Sequence, residues 1–180
     1  MTHSREQVIG AYLARHFDCS INFNANDKKL DHYDFTLYSS AKGFMYTLEM
    51  QDDYFIQNLD STLLIETTIY NKDGTTKPGK LFKTKAQKLC LILNKLKRIF
   101  ICDMKILKSL VIRLEKAGQL KTTTPGDFDT WKKQKDTLPT TCAIIQIQDI
   151  MALDSKACVI QPDPLIFKNY AENRFTKNND

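Results

Sequence analysis

Two acidic residues, Asp34 and Glu49, stand where a predicted β-hairpin would bring them side by side. Apolar and polar residues alternate on either side of the polar stretch 40–43, which indicates two strands joined by a short loop. If Ser39 pairs with Phe44, Asp34 lies directly opposite Glu49, with Cβ atoms about 5 Å apart. Facing carboxylates destabilise a hairpin in the absence of a cation, so this spacing predicts a bound divalent metal ion.

The sorting of side chains into an apolar and a polar face supports this register. With this pairing the apolar face carries Phe35, Leu37, Phe44, Tyr46, Leu48 and Met50, and the polar face carries Asp34, Thr36, Thr47, Glu49 and Gln51. A shift of one residue would mix the two sets. The residues alone leave a second interpretation open, in which Asp34 begins a strand and Glu49 points to solvent without a metal.

The chemistry that such a pair supports is hydrolysis assisted by a metal ion. Hard cations such as Mg²⁺ bind carboxylate oxygens and keep several water molecules. A metal held in this way polarises a phosphoryl oxygen and supplies a hydroxide nucleophile. The amide of Gln51, two residues beyond Glu49, can orient a water by hydrogen bonding but cannot take up a proton at neutral pH.

Charge is distributed unevenly along this chain of 180 residues, which has a net charge of +5. Residues 72–121 hold fourteen bases and three acids, whereas residues 27–66 hold eight acids and three bases. An acidic segment beside a basic segment suits a metal site next to a polyanion such as nucleic acid. Lysine-rich helix faces are also common as solvated surface, and charge by itself does not separate the two interpretations.

Composition bounds the class of protein. With 42% hydrophobic and 26% charged residues, the chain is not a disordered protein, a collagen or a simple coiled coil. Apolar runs are too short for a transmembrane helix, so no membrane partner is expected. Five widely spaced cysteines without a CxxC pair indicate buried, reduced thiols. They favour a cytoplasmic location, which for a viral protein would be the host cytoplasm.

Hydrophobic periodicity predicts the elements that would position these residues. We predict helices over residues 4–17, from about residue 83, and over 104–117, and strands over 21–23, the two arms of the hairpin, 63–70, 89–93, 98–102, and 142–147 continued by 150–153. Gly118 is expected to end the third helix. The segments 71–80 and 121–140 are predicted loops, and the polar end from Tyr170 is predicted to fray.

The motif of Asp34 followed, after a hairpin, by residues 49–51 resembles the PD-(D/E)XK nuclease superfamily, which has the restriction-endonuclease-like fold. The likeness continues through residues 64–66, the loop at 77–79 and the segment 84–86. Small phage-type members are similar in the order of these features. The order of motifs therefore suggests a relationship that extends beyond the two carboxylates.

The resemblance, which covers about residues 31–115, implies an α/β fold with a central mixed β-sheet flanked by α-helices. About four or five strands are expected in that sheet. A single nuclease-like domain over residues 1–169 is implied, with its core at about 4–117 and a C-terminal strand region at 141–160. Residues 170–180 would then form a flexible tail.

The resemblance also implies roles for individual residues. Asp34 and Glu49 would hold Mg²⁺ or Mn²⁺, and the backbone carbonyl of Met50 would complete the protein ligands. Gln51 occupies the place of the superfamily's lysine and would position the attacking water. Glu66 would add to the site or orient a lysine.

Lysines have two implied roles. Lys85, or its neighbour Lys83, would reach into the site in place of the missing lysine. Contacts with the phosphate backbone are implied for Lys77, Lys80, Lys83, Lys85 and Lys88. The basic segment would then supply affinity that does not depend on nucleotide sequence.

The leading hypothesis is therefore a divalent-metal-dependent endonuclease that hydrolyses phosphodiester bonds in DNA. A catalytically inactive protein of the same fold, which binds nucleic acid or a protein partner, is the alternative. An RNA endonuclease is the third hypothesis, because the same chemistry cleaves RNA. The resemblance also raises the expectation of a homodimer, since duplex cleavage by this fold often uses two subunits.

Overall fold

The computed structural model describes residues 5–23, 33–53, 56–71, 73–123 and 140–175. In chain order its elements are α1 (Arg5–His16), β1 (Ser20–Phe23), β2 (Phe35–Ser39), β3 (Phe44–Asp53), β4 (Thr62–Tyr70), β5 (Thr76–Pro78), α2 (Lys80–Lys83), β6 (Lys88–Leu93), β7 (Arg98–Asp103), α3 (Met104–Lys116), β8 (Lys121–Thr123), β9 (Thr140–Gln146), α4 (Ile147–Leu153), β10 (Cys158–Ile160) and α5 (Pro164–Phe175). They form two compact units. The first unit comprises Met1–Gln57, Lys85–Met104 and Lys156–Asp180, and the second comprises Asn58–Thr84 and Lys105–Ser155.

The first unit contains a six-stranded mixed sheet in the order β1-β2-β3-β6-β7-β10. Strands β3 and β6 run parallel, whereas the other neighbours are antiparallel. A parallel pair requires a crossover connection of a dozen or more residues. The chain between β3 and β6 is long enough to supply it, and this connection includes the first segment of the second unit.

Helices α1 and α5 pack on one face of this sheet. Ile9 and Leu13, four residues apart on α1, are buried in one apolar cluster with Phe167 and Tyr170 of α5 and with sheet residues such as Phe35. Apolar residues at this spacing lie on the same face of a helix. Burial of one sheet face against the helices fixes the register of β2 and β3, because a shift would expose the apolar set.

The second unit contains a four-stranded antiparallel sheet in the order β5-β4-β9-β8. Leu63 and Ile65 of β4 and Ile145 of β9 are buried. The long helix α3 is followed by Gly118, whose φ of +66° is a left-handed conformation that glycine adopts without strain. The predicted end of this helix is therefore confirmed.

The predicted α/β class with a central mixed sheet is confirmed, although that sheet has six strands rather than four or five. The predicted helices over 4–17 and 104–117 correspond to α1 and α3, and the predicted hairpin corresponds to β2 and β3. The single-domain boundary at residue 169 stays a prediction. Across the part of the chain that the structure describes, no helix is long and apolar enough to cross a membrane.

One strand prediction is wrong, because residues 150–153 do not extend β9. They belong to helix α4, in which Ile147 and Ile150 are both buried while Leu153 is exposed. Apolar residues three apart lie on one side of a helix, and a short apolar run does not distinguish a strand from a buried helix. Tertiary burial of the pair Ile147 and Ile150 decided the outcome.

Three further expectations differ from the structure. The helix predicted to begin at about residue 83 is instead the single turn α2, which ends there. Short strands β5 and β8 lie in segments predicted as loops, and Trp131 of the second loop lies outside the described residues. The tail predicted from Tyr170 is helical as far as Phe175, because the Tyr170 side chain packs into the core.

Candidate functional site

The register of the β2–β3 hairpin is the one predicted from the sequence. Ser39 pairs with Phe44, and the ladder continues as far as Phe35 paired with Leu48. Phe35 and Leu48 are buried in the core of the first unit. Because side chains alternate along a strand, the residue that follows Leu48 lies on the opposite face of the sheet, away from α1 and α5.

Asp34 lies where the ladder between β2 and β3 ends. Its backbone N–H donates to the carbonyl of Leu48 over 2.8 Å. Its carboxylate Oδ2 accepts a hydrogen bond from the N–H of Met50 over 2.7 Å. The Asp34 side chain therefore serves as the hydrogen-bond acceptor for Met50, in place of a backbone carbonyl on a neighbouring strand. This hydrogen bond holds the negative charge of Asp34 beside the segment that carries Glu49.

Glu49 is an acidic residue with little access to solvent, since only 8% of it is exposed. It pairs with Leu89 of β6, on the side of β3 remote from β2. A buried carboxylate is costly unless hydrogen bonds or a cation compensate its charge. The interpretation in which Glu49 points freely into solvent is therefore wrong.

The backbone of Met50 faces Asp34, and its role as a metal ligand stays a prediction. In a strand, the N–H and C=O of one residue lie on the same edge, and the N–H of Met50 faces Asp34. The carbonyl of Met50 therefore lies on the edge of β3 where Asp34 ends the pairing with β2. Asp34, Glu49 and this carbonyl would together offer hard oxygen ligands.

The candidate metal site offers two carboxylates, those of Asp34 and Glu49. Within residues 5–23, 33–53, 56–71, 73–123 and 140–175, the structure contains no group of three His, Cys, Asp or Glu side chains that could hold a metal. Two carboxylates and a carbonyl suit Mg²⁺ or Mn²⁺, because a hard ion such as Mg²⁺ often keeps several waters. The same set lacks the nitrogen and sulfur ligands that select zinc.

Gln51 and Lys85 are two further residues that were predicted to act at this site. Gln51 is half-buried and pairs with Leu91 of β6, two residues beyond Glu49 on the same sheet face. Lys85 is exposed and lies in the irregular segment between α2 and β6. Their predicted roles in orienting water and neutralising charge stay predictions.

Gln87 has a structural role that sequence reasoning missed. Its N–H donates to the carbonyl of Thr47 over 2.9 Å, and its side-chain oxygen accepts from the N–H of Thr47 over 3.2 Å. These bonds tie the chain that enters β6 to β3. They continue the pairing of β3 with β6 by one residue before Leu48 and Lys88. The same pairing places Glu49, two residues after Thr47, beside β6.

Glu66 belongs to the second unit and has a backbone partner there. Its Oε1 accepts a hydrogen bond from the N–H of Lys80 over 2.9 Å, at the start of α2. Gly79 precedes this turn, and a Cβ at that position would come within 2.6 Å of the backbone of Thr67. Glu66 and Gly79 therefore hold the β5–α2 connection against β4, and the role of Glu66 in a metal site stays a prediction.

The five lysines predicted to contact phosphate differ in their surroundings. Lys80, Lys83 and Lys85 are exposed, and Lys77 is half-buried. Lys88 is buried, with 9% of the residue exposed. Lys88 therefore differs from the other four lysines, which are accessible to a polyanion, and the phosphate contacts of all five stay predictions.

Lys108, another lysine of the basic segment, also makes a hydrogen bond within the protein. Its ammonium donates to the carbonyl of Thr84 over 2.9 Å. Partial burial lowers the pKa of Lys108 by desolvating its charged form. Basic composition therefore overstates the charge that this segment presents to a ligand.

A half-buried polar network around Asp52 was also missed. Asp52 accepts hydrogen bonds from Arg5, Tyr170 and Asn94, the last over 3.1 Å. The Arg5 guanidinium also lies 4.4 Å from the centre of the Tyr170 ring. Arg5 is 47 residues away in sequence and Tyr170 is 118 residues away, so no local pattern reveals the network.

No protein-family model matches this sequence, and no curated protein gives a significant match. Among solved structures, a bacterial homing endonuclease, I-Ssp6803I, gives a distant match to this chain. The two chains are 10% identical and superpose with a TM-score of 0.43, over 58% of this chain and 68% of that chain. At this level of similarity, residue roles do not transfer from that enzyme to this chain.

Proposed function

We propose that this chain hydrolyses phosphodiester bonds in DNA with a divalent metal ion, Mg²⁺ or Mn²⁺, held by Asp34 and Glu49. The observation that carries the proposal is the hydrogen bond from the N–H of Met50 to Asp34 over 2.7 Å. It holds one carboxylate beside the segment that bears a second, largely buried carboxylate. Two acids gathered in this way favour a bound cation.

The residues at this site would have different roles in hydrolysis. Asp34, Glu49 and the carbonyl of Met50 would hold the metal, which when bound supplies Lewis-acid activation of a phosphoryl oxygen and of water. The amide of Gln51 would orient the attacking water by hydrogen bonding. Because an amide does not titrate at neutral pH, Gln51 would not act as a general base.

Exposed lysines would hold the nucleic acid. Lys80 and Lys83 on α2, half-buried Lys77 on β5 and Lys85 before β6 are accessible to solvent. Each ammonium that neutralises a phosphate releases counterions, so this part of the affinity falls with salt and carries no sequence information.

The test is a cleavage panel with duplex, single-stranded and branched DNA and with RNA, at low salt, in Mg²⁺ and in Mn²⁺. Asp34→Asn and Glu49→Gln are expected to abolish cleavage while the fold is retained. Asp149→Asn and Glu115→Gln are matched controls, because both acids are exposed residues on helices of the second unit. Cleavage by Asp34→Asn or Glu49→Gln at the wild-type rate would contradict the proposal.

A second candidate function is a catalytically inactive fold that binds nucleic acid or a protein. Two observations favour it: Gln51 stands where the superfamily has a lysine, and the Asp34 carboxylate already has a backbone partner. Salt-dependent binding of DNA without cleavage in either metal would support this candidate. Cleavage of RNA but not DNA in the panel would support the third hypothesis, an RNA endonuclease.

A further inference from the structure

A second candidate site lies in the first unit, on the sheet face opposite to Glu49. Here the sheet and the chain just after α1 line a half-open cavity of about 190 Å³. Its walls include Phe17, Leu37, Phe44 and Tyr46, and Lys88 also lines it. Leu48 lines the cavity, whereas the next residue of β3, Glu49, faces the other way. The cavity is therefore separate from the candidate metal site.

Lys88 is an unusual residue for an apolar wall. Only 11% of its side chain is exposed, and its ammonium donates to Asp103 Oδ2 over 3.2 Å. The ammonium also lies 5.0 Å from the centre of the Tyr46 ring. An ammonium has three N–H donors, and in the described part of the chain Asp103 is its hydrogen-bond partner. Lys88 can therefore donate to an additional acceptor in the cavity.

Lys88 is the group at this cavity that favours an anion. Its ammonium is largely buried, whereas Lys156, which also lines the cavity, is exposed and has interactions of its own. Asp103, the partner of Lys88, contributes one negative charge. The N–H donors of Lys88 that Asp103 does not use would compensate part of the cost of removing an anion from water.

The shape and walls favour a single aromatic ring. An apolar cavity of about 150 Å³ holds one benzene molecule, so 190 Å³ accommodates a ring with a small substituent. The rings of Phe44 and Tyr46 stack with centres 5.3 Å apart and an angle of 17° between their planes. Aromatic walls contact a third ring favourably through edge and offset-stacked arrangements.

We propose that this cavity binds a small organic anion, a monocyclic aromatic carboxylate, with its carboxylate near Lys88 and its ring among Phe17, Phe44 and Tyr46. The site is independent of the proposed nuclease function, because it uses the opposite face of the sheet. Ligand binding would not require DNA or a metal ion.

The probe for this site is benzoate, compared with benzyl alcohol, benzylamine and acetate by calorimetry and by protein NMR. Benzoate is expected to bind at least about tenfold more tightly than the neutral alcohol, because a hydrogen bond to a charged group is worth more than a neutral one. Chemical shifts of the Leu37 and Leu48 methyl groups should move on binding. Equal affinity for benzoate and benzyl alcohol, or no binding of benzoate, would overturn the proposal.

Two variants test the geometry separately from the charge. Cys158→Met fills part of the cavity with an unbranched side chain and should weaken benzoate binding about tenfold or more. Lys88→Met combined with Asp103→Asn removes the ion pair without leaving one buried charge, and should abolish the preference for benzoate over the alcohol. Lys121→Met, in exposed β8, is the control. Unchanged benzoate affinity in Cys158→Met would refute the site, even if the double variant failed to fold.

Discussion

Replacement of Asp34 by asparagine and by alanine separates its structural role from its proposed metal-binding role. Alanine leaves the part-buried N–H of Met50 without its acceptor, which costs about 2 kcal/mol of the free energy of unfolding. For a chain of this length, that loss lowers the melting temperature by roughly 4–8 °C. Asparagine keeps an acceptor oxygen and removes a charge near Glu49, so its melting temperature should stay within about 3 °C of the wild type.

Activity should not follow this difference in stability. Both variants are expected to lose cleavage, because neither retains the second carboxylate that a hard metal requires. Metal at about 100 times its Kd stabilises the wild type by about 2.7 kcal/mol, which is a rise of roughly 5–10 °C in melting temperature. Neither variant should show this rise in Mg²⁺ or Mn²⁺.

The assay combines thermal unfolding, with and without metal, and single-turnover cleavage of labelled DNA at saturating protein. Asp149→Asn serves as the control for removal of an exposed acid. If Asp34→Asn cleaves at the wild-type rate and retains the thermal shift with metal, Asp34 only ends the ladder of β2 and β3. The proposed metal ligand set would then be refuted.

Four further predictions concern other residues. Gln51→Lys should keep or raise the cleavage rate, because an ammonium stabilises charge that develops on the phosphate; a large loss in rate would contradict a role limited to orienting water. If Lys83 or Lys85 replaces the missing lysine, its change to alanine should lower the cleavage rate at saturating DNA, whereas loss of a phosphate contact should weaken binding and reduce the salt slope by about one unit. Gly79→Ala should lower the melting temperature by several degrees, because its Cβ would meet the backbone of β4 at 2.6–2.8 Å; an unchanged value would contradict this contact. Burial raises the pKa of the Cys90 thiol, with nearby acids adding to the effect, so Cys90 should react slowly with thiol reagents at neutral pH, and all five thiols should react after unfolding.

The hairpin is the part of the fold that the sequence predicted best. Alternation between Phe35 and Leu37, and between Tyr46 and Leu48, allows one register that places the apolar set on one face of the hairpin, and the structure has that register. The same alternation predicted the face on which Glu49 lies. Local spacing was sufficient because a strand repeats every two residues, so a wrong register would expose every apolar side chain at once.

Elements with short apolar runs were predicted less well. Ile150 follows a strand and is itself apolar, but it lies in a helix because Ile147 and Ile150 are buried together. Tyr170 stands in a polar sequence that suggests fraying, yet contacts with Phe167 and Arg5 hold it in the core. In both cases, packing against distant residues outweighed the local composition.

The candidate site shows the same division between local pattern and tertiary structure. The sequence by itself determined that Asp34 and Glu49 belong to one hairpin, because their positions follow from its register. Only the tertiary structure decided that Lys88 is buried beside Asp103 and Tyr46 rather than exposed like Lys85. Alternation and helical spacing are properties of neighbouring residues, whereas the burial of a charge depends on which distant strands become its neighbours in the sheet.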